Sequence, residues 1–185
     1  MKLKLLALVM LGIMFPTKGV DAQTTGDKIL IVYFSHTGNT KVIAGYIKDA
    51  TGGEIFEIKP VKDYPADYNI VVDQAKKEID AGFKPELQGK IADIEKYDVI
   101  YIGSPNWWNT IAPPVATFLT SYNLKGKTII PFVTHGGDGL GRTVADIRKL
   151  CPGSEVLEGY SCPGTDVANA RNDVVKWVKG IKMAK

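Results

Sequence analysis

Five short apolar runs alternate with stretches of helical periodicity along this chain, and that alternation constrains its fold more than any other feature. The runs are KILIVYFS from Lys28, GEIFEIKP from Gly53, YDVIYIGSP from Tyr97, KTIIPFVTH from Lys127 and EVLEGYSC from Glu155. Short apolar runs bounded by turn-forming residues are typical of strands, and strands that alternate with helices form parallel sheets with right-handed crossovers. We therefore expect an α/β fold, with a doubly wound five-stranded parallel sheet and helices on both faces.

The composition of the runs separates inner strands from outer ones. The first, third and fourth runs are almost continuously apolar, as in strands that are buried on both faces. The second and fifth contain more polar residues, which is typical of edge strands. Pro131 conflicts with this assignment, because it falls inside the fourth run and lacks the N–H that an inner strand needs. A local bulge would accommodate it.

Apolar residues at helical spacing predict five helices between and after the strands. Their stripes are Val42, Ile43, Tyr46 and Ile47; Ile70, Val71, Ala75 and Ile79; Val115, Phe118 and Leu119; Val144, Ile147 and Leu150; and Val167, Val174, Trp177, Val178 and Ile181. Pro113 and Pro114 suit the start of the third helix, where proline is tolerated. We expect all five stripes to face the core.

Residues 1–22 have the pattern of a secretory signal peptide. A basic start at residues 1–4 precedes an apolar run at residues 5–15, and small residues surround Ala22. The apolar run is shorter than the roughly 20 residues of a membrane-spanning helix. We predict cleavage after Ala22, export to the periplasm, no stable membrane insertion after cleavage, and a single domain over residues 23–185.

The charge balance argues against one class of partner. The formal net charge is +3, and removing residues 1–22, which carry more lysine than aspartate, brings it closer to zero. The chain also has no basic run. A nearly neutral protein lacks the electrostatic footprint of nucleic-acid binding, so we expect no nucleic-acid partner.

Cys151 and Cys162 would both lie in an oxidising compartment after export. We nevertheless predict no disulfide, because an extended segment between them would hold their Cα atoms roughly 25 Å apart, whereas a disulfide needs about 7 Å or less. A small buried side chain is the favoured interpretation of Cys162, and a redox-active thiol is the alternative.

The sequence SHTGNT at residues 35–40 joins the first strand to the first helix. Its serine, asparagine and two threonines carry side-chain donors, and Gly38 permits a tight turn. Ligands of doubly wound sheets bind beyond the carboxyl ends of the strands, where helix N-termini present unpaired N–H groups. We interpret this turn as a phosphate site made of neutral donors. An ordinary helix cap is the alternative, although five such residues in six positions exceed what a cap requires.

The segment GGDGLGRT at residues 136–143 has the glycine spacing of a nucleotide-triphosphate loop. Arg142 occupies the position of the usual lysine, and no apolar strand ends in the aspartate that would hold magnesium. We therefore favour a different role, in which the glycines let the backbone approach a flat ring closely.

The segment SPNWWNT at residues 104–110 places two adjacent tryptophans after the third strand. Both cannot point into one core, so we expect at least one to be exposed at the crevice. A ring system stacked there would bury about 200 Å² of tryptophan surface. Packing of both side chains under neighbouring residues is the alternative.

These three motifs together resemble the flavodoxin-like family. S-x-T-G-N-T, S-P-x-W-W and T-H-G-G end the first, third and fourth strands in the same order, and the resemblance covers residues 28–183. It implies strand order 2-1-3-4-5 and non-covalent binding of flavin mononucleotide (FMN) where strands one and three diverge. The cofactor-binding residues that it implies are Ser35, His36, Thr37, Gly38, Asn39, Thr40, Ser104, Pro105, Asn106, Trp107, Trp108, Asn109, Thr134, His135, Gly136, Gly137 and Gly141.

The resemblance also assigns roles to individual residues. It implies that His135 is a hydrogen-bonding wall of the flavin pocket. His36 and His135 are the two histidines of the chain, and neither has a third ligand nearby in sequence, so we predict no metal. Asn109 stands where relatives often have glycine, whose peptide flips beside the flavin, and asparagine is the next most tolerant residue for positive φ.

We therefore predict an exported flavodoxin-like protein that transfers electrons through FMN, with a redox protein or a small electron acceptor as its partner. No protein nucleophile and no pair of catalytic carboxylates stands out, so we assign no catalytic residues. Many family members that act as carriers are strongly acidic, and this chain is not, so their docking mode does not carry over. One alternative is a nicotinamide-dependent reductase of quinones, nitro compounds or flavins. Another is a module that binds flavin or a phosphate ester without redox activity.

Overall fold

The computed structural model describes residues 27–182, which form an open sheet with helices packed on both sides. The strands are β1 (Ile29–Tyr33), β2 (Glu54–Glu57), β3 (Lys59–Pro60), β4 (Leu87–Gln88), β5 (Val99–Trp107), β6 (Thr110–Ile111), β7 (Thr128–His135), β8 (Glu155–Val156) and β9 (Tyr160–Pro163). The helices are α1 (Asn39–Thr51), α2 (Tyr68–Asp80), α3 (Pro113–Thr120), α4 (Thr143–Leu150) and α5 (Arg171–Gly180). Among residues 27–182, no helix has both the length and the apolar character needed to cross a membrane. The predicted signal peptide lies outside the described residues.

The main sheet is parallel in the order β2-β1-β5-β7-β8, and β9 continues the outer position beside β7. When β8 and β9 are counted as one interrupted fifth strand, this is the predicted order 2-1-3-4-5. The apolar runs also identified the three inner strands correctly, because β1, β5 and β7 occupy the middle of the sheet. Two small antiparallel pairings, β3 with β4 and β6 with the end of β5, were not predicted.

The inner strands are continuously apolar because their side chains alternate between two cores. In β1, Leu30 and Val32 pack into one core, and Ile31 and Tyr33 pack into the other. Helices α3 and α4 contribute to the first core, and α1 and α5 contribute to the second. Burial on both faces fixes the carboxyl ends of the inner strands as a rigid platform for the segments that follow them.

Four of the five predicted helical stripes face the core at every position except Val42, whereas no residue of the α2 stripe belongs to either core. Val42 is 37% exposed and Ile70 is 57% exposed, so the prediction was wrong for both residues. In α1 the buried positions include Thr40 and Ala44, which places the centre of the buried face away from Val42. A stripe shows which face of a helix is apolar, but the packing partners decide how the helix is rotated.

Pro131 lies inside β7 without a bulge. β7 pairs with β5 along its length with no break in register. The carbonyl oxygen of Ile129 accepts the Leu157 N–H at 3.0 Å, so alternate residues of β7, including position 131, direct their backbone groups toward the outer strand. The outer strand is interrupted between β8 and β9, beside Pro131. The missing N–H therefore faces a gap in the neighbouring strand, and this gap replaces the expected bulge.

The two cysteines are free and buried, and the burial of Cys162 was predicted. Cys151 follows α4, and Cys162 lies in β9. Burial raises the pKa of the Cys151 thiol to about 11 and also raises the pKa of the Cys162 thiol. Both groups therefore stay protonated at neutral pH, where a thiol is a poor nucleophile. Burial and protonation support the interpretation of Cys162 as a small buried side chain.

Candidate functional site

Three segments meet in one cavity at the carboxyl ends of β1, β5 and β7. They are the first turn (residues 35–40), the hairpin (residues 104–111) and the glycine-rich loop (residues 134–143). The cavity has a volume of about 860 Å³. Small-molecule sites usually measure about 300–1,000 Å³. The lining residues are His36, Thr37, Asn39, Tyr68, Val71, Val72, Ala75, Pro105, Asn106, Trp107, Trp108, Asn109, Thr134, His135, Gly136, Asp138, Pro163, Gly164 and Thr165.

The first turn leaves its backbone donors free. Gly38 precedes α1 with a φ of 93°, which glycine adopts readily. Among the residues that the structure describes, no group accepts a hydrogen bond from the backbone N–H groups of residues 35–40. The next N–H group, that of Lys41, donates to Ser35 Oγ at 3.3 Å. Free donors of this kind, together with the partial positive charge of a helix N-terminus, can attract an anion.

The hydroxyl groups of the first turn have two different tasks. Thr40 is 1% exposed, and its Oγ1 lies 2.8 Å from Oγ1 of Thr134 in β7, so it ties the turn to the strand. Thr37 is exposed and lines the cavity, and within the described residues its hydroxyl has no hydrogen-bond partner. Thr37 is therefore the threonine available to a ligand.

The SPNWWNT segment is a β-hairpin rather than an irregular loop. β5 continues to Trp107 and pairs antiparallel with β6, so Trp108 and Asn109 form a two-residue turn. Their φ values are 52° and 63°, and positive φ at both positions is the geometry of a type I′ turn. Asparagine tolerates this geometry, whereas for a tryptophan it costs about 1–2 kcal/mol. Strain of this kind occurs often at functional sites.

Trp107 packs among aromatic rings at the base of the cavity. Its ring centroid lies 5.0 Å from that of Tyr64, 5.6 Å from that of Phe34 and 5.8 Å from that of His36. All three contacts are edge-on, the arrangement that aromatic pairs favour. Trp107 is thus held in a fixed orientation between the core and the cavity.

Trp108 has a different environment and closes the cavity against α2. Its side chain is 47% exposed, which confirms the prediction that at least one tryptophan is exposed at the crevice. The indole Nε1–H donates to the Val72 carbonyl oxygen at 3.0 Å, and Lys76 Nζ lies 5.4 Å from the ring centre. These contacts help to hold the strained turn in place.

The glycine-rich loop packs directly against the hairpin. A Cβ atom at Gly141, whose φ is 52°, would lie 2.6 Å from the carbonyl oxygen of Asn109. The Arg142 N–H donates to that same oxygen at 2.6 Å. Asn106 Nδ2 donates to the Gly139 carbonyl oxygen at 2.8 Å. Gly141 is therefore required for the contact between the glycine-rich loop and the hairpin, a role that the sequence did not indicate.

Two buried polar atoms at the cavity have no protein partner among the described residues. They are Oδ1 of Asn106 and Nδ1 of His135, and both residues line the cavity. A buried polar group without a partner costs about 1–3 kcal/mol, so such groups are usually satisfied by a ligand or by water. Asp138 is the one charged side chain among the described lining residues. This part of the cavity therefore suits an uncharged group that carries hydrogen-bonding atoms.

Six predicted site residues lie beside the cavity rather than in its lining: Ser35, Gly38, Thr40, Ser104, Gly137 and Gly141. Ser104 Oγ accepts the Ala112 N–H at 2.9 Å and donates to the Pro105 carbonyl oxygen at 2.8 Å, which fixes the base of the hairpin. Gly137 is exposed, with open space around it. These residues shape the three segments, and the remaining predicted residues line the cavity.

The sequence prediction missed two walls of the cavity. One wall comes from α2 and comprises Tyr68, Val71, Val72 and Ala75; the other follows β9 and comprises Pro163, Gly164 and Thr165. The α2 stripe had been assigned to the core. The second wall could have been found from its position, because the residues after the fifth strand lie at the same edge of the sheet as the other three segments.

The histidines serve the site separately and do not form a metal centre. His36 Nε2 lies 2.9 Å from the carbonyl oxygen of Pro65, so it can donate a hydrogen bond that links the first turn to the segment before α2. Within residues 27–182, no group of three or more histidine, cysteine, aspartate or glutamate side chains could hold a metal ion.

Comparisons with known proteins agree on the kind of protein that has this architecture. A family model described as Flavodoxin matches residues 28–181. A protein from Bacteroides uniformis described as a flavoprotein is 33% identical, with a TM-score of 0.75, and the match covers 83% of this chain and 99% of that chain. One from Bacteroides eggerthii with the same description is 30% identical, with a TM-score of 0.69 and coverage of 80% and 98%. A flavoprotein from Lactobacillus acidophilus, solved in complex with FMN, is 28% identical, with a TM-score of 0.67 and coverage of 78% and 98%. Among curated proteins, no sequence matches this chain.

Proposed function

The chain belongs to the flavodoxin family, and from that premise we propose that it transfers electrons through FMN bound in the cavity at the carboxyl ends of β1, β5 and β7. Its cofactor is FMN, which is also the ligand of the similar Lactobacillus acidophilus protein. One observation carries the proposal. Free backbone donors lie at the first turn, and two tryptophans lie elsewhere in the same cavity, together with the unpaired polar atoms of Asn106 and His135.

The first turn would hold the phosphate group. Its free N–H groups and the N-terminus of α1 attract an anion without lysine or arginine. Thr37 would add a hydroxyl donor, and Asn39 would add an amide donor. Thr40 and Ser35 would act indirectly, because their hydroxyl groups hold the turn in its shape.

The hairpin and the glycine-rich loop would hold the flavin ring. Trp107 and Trp108 offer indole surface to a flat ring. Asn106 Oδ1 and His135 Nδ1 would gain hydrogen-bond partners from the polar edge of the ring, which removes the cost of leaving them unpaired. Which nitrogen of His135 carries the proton would then follow from the ring atom that it faces.

Bound FMN would supply the chemistry, which is the acceptance and release of electrons. The protein supplies affinity, a fixed ring orientation and restricted access of water. No residue of the chain is assigned a catalytic role.

The first experiment is a titration of the FMN-free protein with FMN and, in parallel, with riboflavin, followed by tryptophan fluorescence. Because riboflavin lacks the phosphate group, we expect strong quenching by FMN and much weaker quenching at the same riboflavin concentration. Equal affinity for the two ligands would contradict the role of the first turn. No quenching by either would overturn FMN binding and favour a module that binds another ligand.

The variant Thr37→Ala tests the phosphate end directly. Loss of one hydrogen bond to a charged group should weaken FMN binding by about 1.5–3 kcal/mol, with riboflavin binding unchanged. The free energy of unfolding without ligand should not change, since the Thr37 hydroxyl has no bond to the described residues. Thr120→Ala, an exposed threonine of α3, is the matched control and should leave both affinities unchanged.

One observation favours the reductase alternative. The cavity extends along the largely apolar wall of α2, where Tyr68 is 77% exposed, and this wall offers room for a second small molecule. Reduction of the bound FMN by a nicotinamide cofactor alone, with turnover of a quinone, would favour an enzyme. Fast oxidation of pre-reduced protein by an electron-accepting protein, with no reaction with the nicotinamide, would favour a carrier.

We also propose that this electron transfer takes place outside the cytoplasm, on the basis of the signal-peptide pattern at residues 1–22. The test is the N-terminus of protein recovered from the periplasmic fraction of its host. A chain that begins at Gln23 is expected, and an intact chain confined to the cytoplasm would refute export.

A further inference from the structure

We propose that three residues, Trp107, Tyr64 and Glu78, form a relay. When Trp107 is oxidised by one electron, the relay moves the resulting radical away from the cavity to Tyr64. Trp107 lines the cavity, whereas Tyr64 lies behind it. The two ring centroids are 5.0 Å apart, with the rings inclined at 75°. The Tyr64 hydroxyl donates a hydrogen bond to Glu78 Oε2 on α2. An electron path and a proton acceptor therefore meet at one phenol.

The carboxylate is fixed in the orientation that the relay needs. Gln74 Nε2 donates to Glu78 Oε1 at 2.8 Å, so the other oxygen, Oε2, is directed at the phenol. Both Tyr64 and Glu78 are half-buried. Burial and the hydrogen bond to Glu78 raise the pKa of the Tyr64 phenol, so the phenol keeps its proton until an electron is removed.

The relay balances charge in two steps. A one-electron oxidant in the cavity, such as a photoexcited flavin, takes one electron from the Trp107 indole and leaves a radical cation. Tyr64 then gives one electron to Trp107 while its phenol proton passes from Oη to Glu78 Oε2. The products are a restored Trp107, a neutral Tyr64 phenoxyl radical, a protonated Glu78 and the reduced oxidant. Return of one electron and one proton to Tyr64 resets the relay.

The other tryptophan–tyrosine contacts of the described residues lack this proton acceptor. The Trp177 ring lies 5.1 Å from that of Tyr160 and 5.8 Å from that of Tyr101. Neither of these phenols donates a hydrogen bond to a carboxylate within residues 27–182, whereas Tyr64 does. A phenol without a hydrogen-bonded base must release its proton to a weaker or more distant acceptor when it is oxidised, so electron transfer from it is slower.

The relay is a property of the chain, but its use rests on the proposed function. A flavin that is excited by light would otherwise leave the radical on Trp107, which lines the binding site of that flavin. Transfer to Tyr64 moves the radical to a residue outside the cavity lining. The residues that line the cavity would then escape permanent oxidation.

The test is pulse radiolysis of the full chain with azide radicals, which oxidise tryptophan by one electron, carried out with and without added FMN. We expect a fast phase in which the tryptophan radical decays and the tyrosine phenoxyl radical appears. Tyr64→Phe and Trp107→Phe should abolish this phase, and Glu78→Gln should slow it by about 100-fold. Heavy water should slow the fast phase in the unaltered protein, because the phenol proton moves in that step. If Glu78 only packed against Tyr64, no such isotope effect would be seen.

Tyr160→Phe is the matched control, because Tyr160 also contacts a tryptophan ring but donates no hydrogen bond to a carboxylate of residues 27–182. The fast phase should survive in this variant. Survival of the fast phase in Tyr64→Phe, or its loss in Tyr160→Phe, would overturn the proposal. Glu78→Gln keeps both rings, so it decides the question if Tyr64→Phe fails to fold. The arm without FMN separates failure of the relay from failure of FMN binding.

Discussion

The first turn and the pair formed by the hairpin and the glycine-rich loop use their polar groups in opposite ways. The first turn keeps the backbone N–H groups of residues 35–40 free of partners among the described residues. The hairpin and the loop instead bind each other, through the Asn109 carbonyl with the Arg142 N–H and through Asn106 with the Gly139 carbonyl. The polar groups of the first turn are available to a ligand, whereas the polar groups between the hairpin and the loop already have partners in the protein.

This difference separates affinity from stability within one site. A substitution that removes a free donor of the first turn should change ligand binding without changing the folded state. A substitution between the hairpin and the loop should destabilise the protein first, and should change ligand binding only because the wall moves. The variants below test that separation, from the largest expected effect to the smallest.

Gly141→Ala should have the largest effect. Its methyl group would lie 2.6 Å from the Asn109 carbonyl oxygen in a backbone conformation with φ 52°. We expect a loss of about 2–4 kcal/mol in the free energy of unfolding, because a left-handed conformation and an overpacked contact each cost about 1–2 kcal/mol. Urea denaturation of the FMN-free protein measures this loss of stability.

Gly137→Ala is the control for Gly141→Ala. Position 137 belongs to the same loop, has no positive φ and has open space around a Cβ atom. Its free energy of unfolding should change by less than about 0.5 kcal/mol. Equal losses at positions 137 and 141 would show that the loop and the hairpin are not packed as described.

Thr40→Val should have an intermediate effect, because it removes the hydrogen bond between the buried Thr40 and Thr134 hydroxyl groups that joins the first turn to β7. The valine leaves the Thr134 hydroxyl, which is 4% exposed, without its partner. We expect a loss of about 1–3 kcal/mol in the free energy of unfolding. Adding Thr134→Val should restore most of it, since two apolar groups of similar shape replace both partners. Additive losses in this double-mutant cycle would contradict a direct bond.

Gly38→Ala should have the smallest effect of the three test variants, larger only than that of the control Gly137→Ala. The φ of 93° disfavours alanine, but apart from its chain neighbours no atom of residues 27–182 lies within 4 Å of the added Cβ position. We expect a loss of about 1 kcal/mol in the free energy of unfolding, with FMN affinity almost unchanged because the backbone donors stay in place. A loss of affinity larger than the loss of stability would show that position 38 itself approaches the ligand.

The sequence was informative wherever a local pattern determined the structure. The apolar runs identified the inner strands, and the polar residues of SHTGNT marked the first turn of the cavity. Both features depend on residues that are close in the chain. The strand order came from the resemblance of three motifs to a family rather than from the runs themselves.

The parts that the sequence did not predict depend on contacts between distant residues. Nothing near Gly141 in sequence indicates that its partner is Asn109 in another segment. The rotation of α2, which exposes Ile70 and turns Val71 and Ala75 toward the cavity, is set by the neighbours of that helix. Likewise, the gap that accommodates Pro131 lies in a different strand. Each of these features follows from contacts between residues that are far apart in the sequence. A helical stripe or a short motif contains no information about such contacts.

The interrupted outer strand has a consequence for the behaviour of the protein at high concentration. An open sheet with a long, regular edge offers unpaired N–H and C=O groups to a second copy of the chain and promotes aggregation. Here that edge is divided into β8, with two residues, and β9, with four, and the opposite edge, β2, has four residues with a glutamate at each end. Pro131, which lies in an inner strand, thus accompanies a sheet edge that offers only short runs of unpaired backbone groups to a second copy.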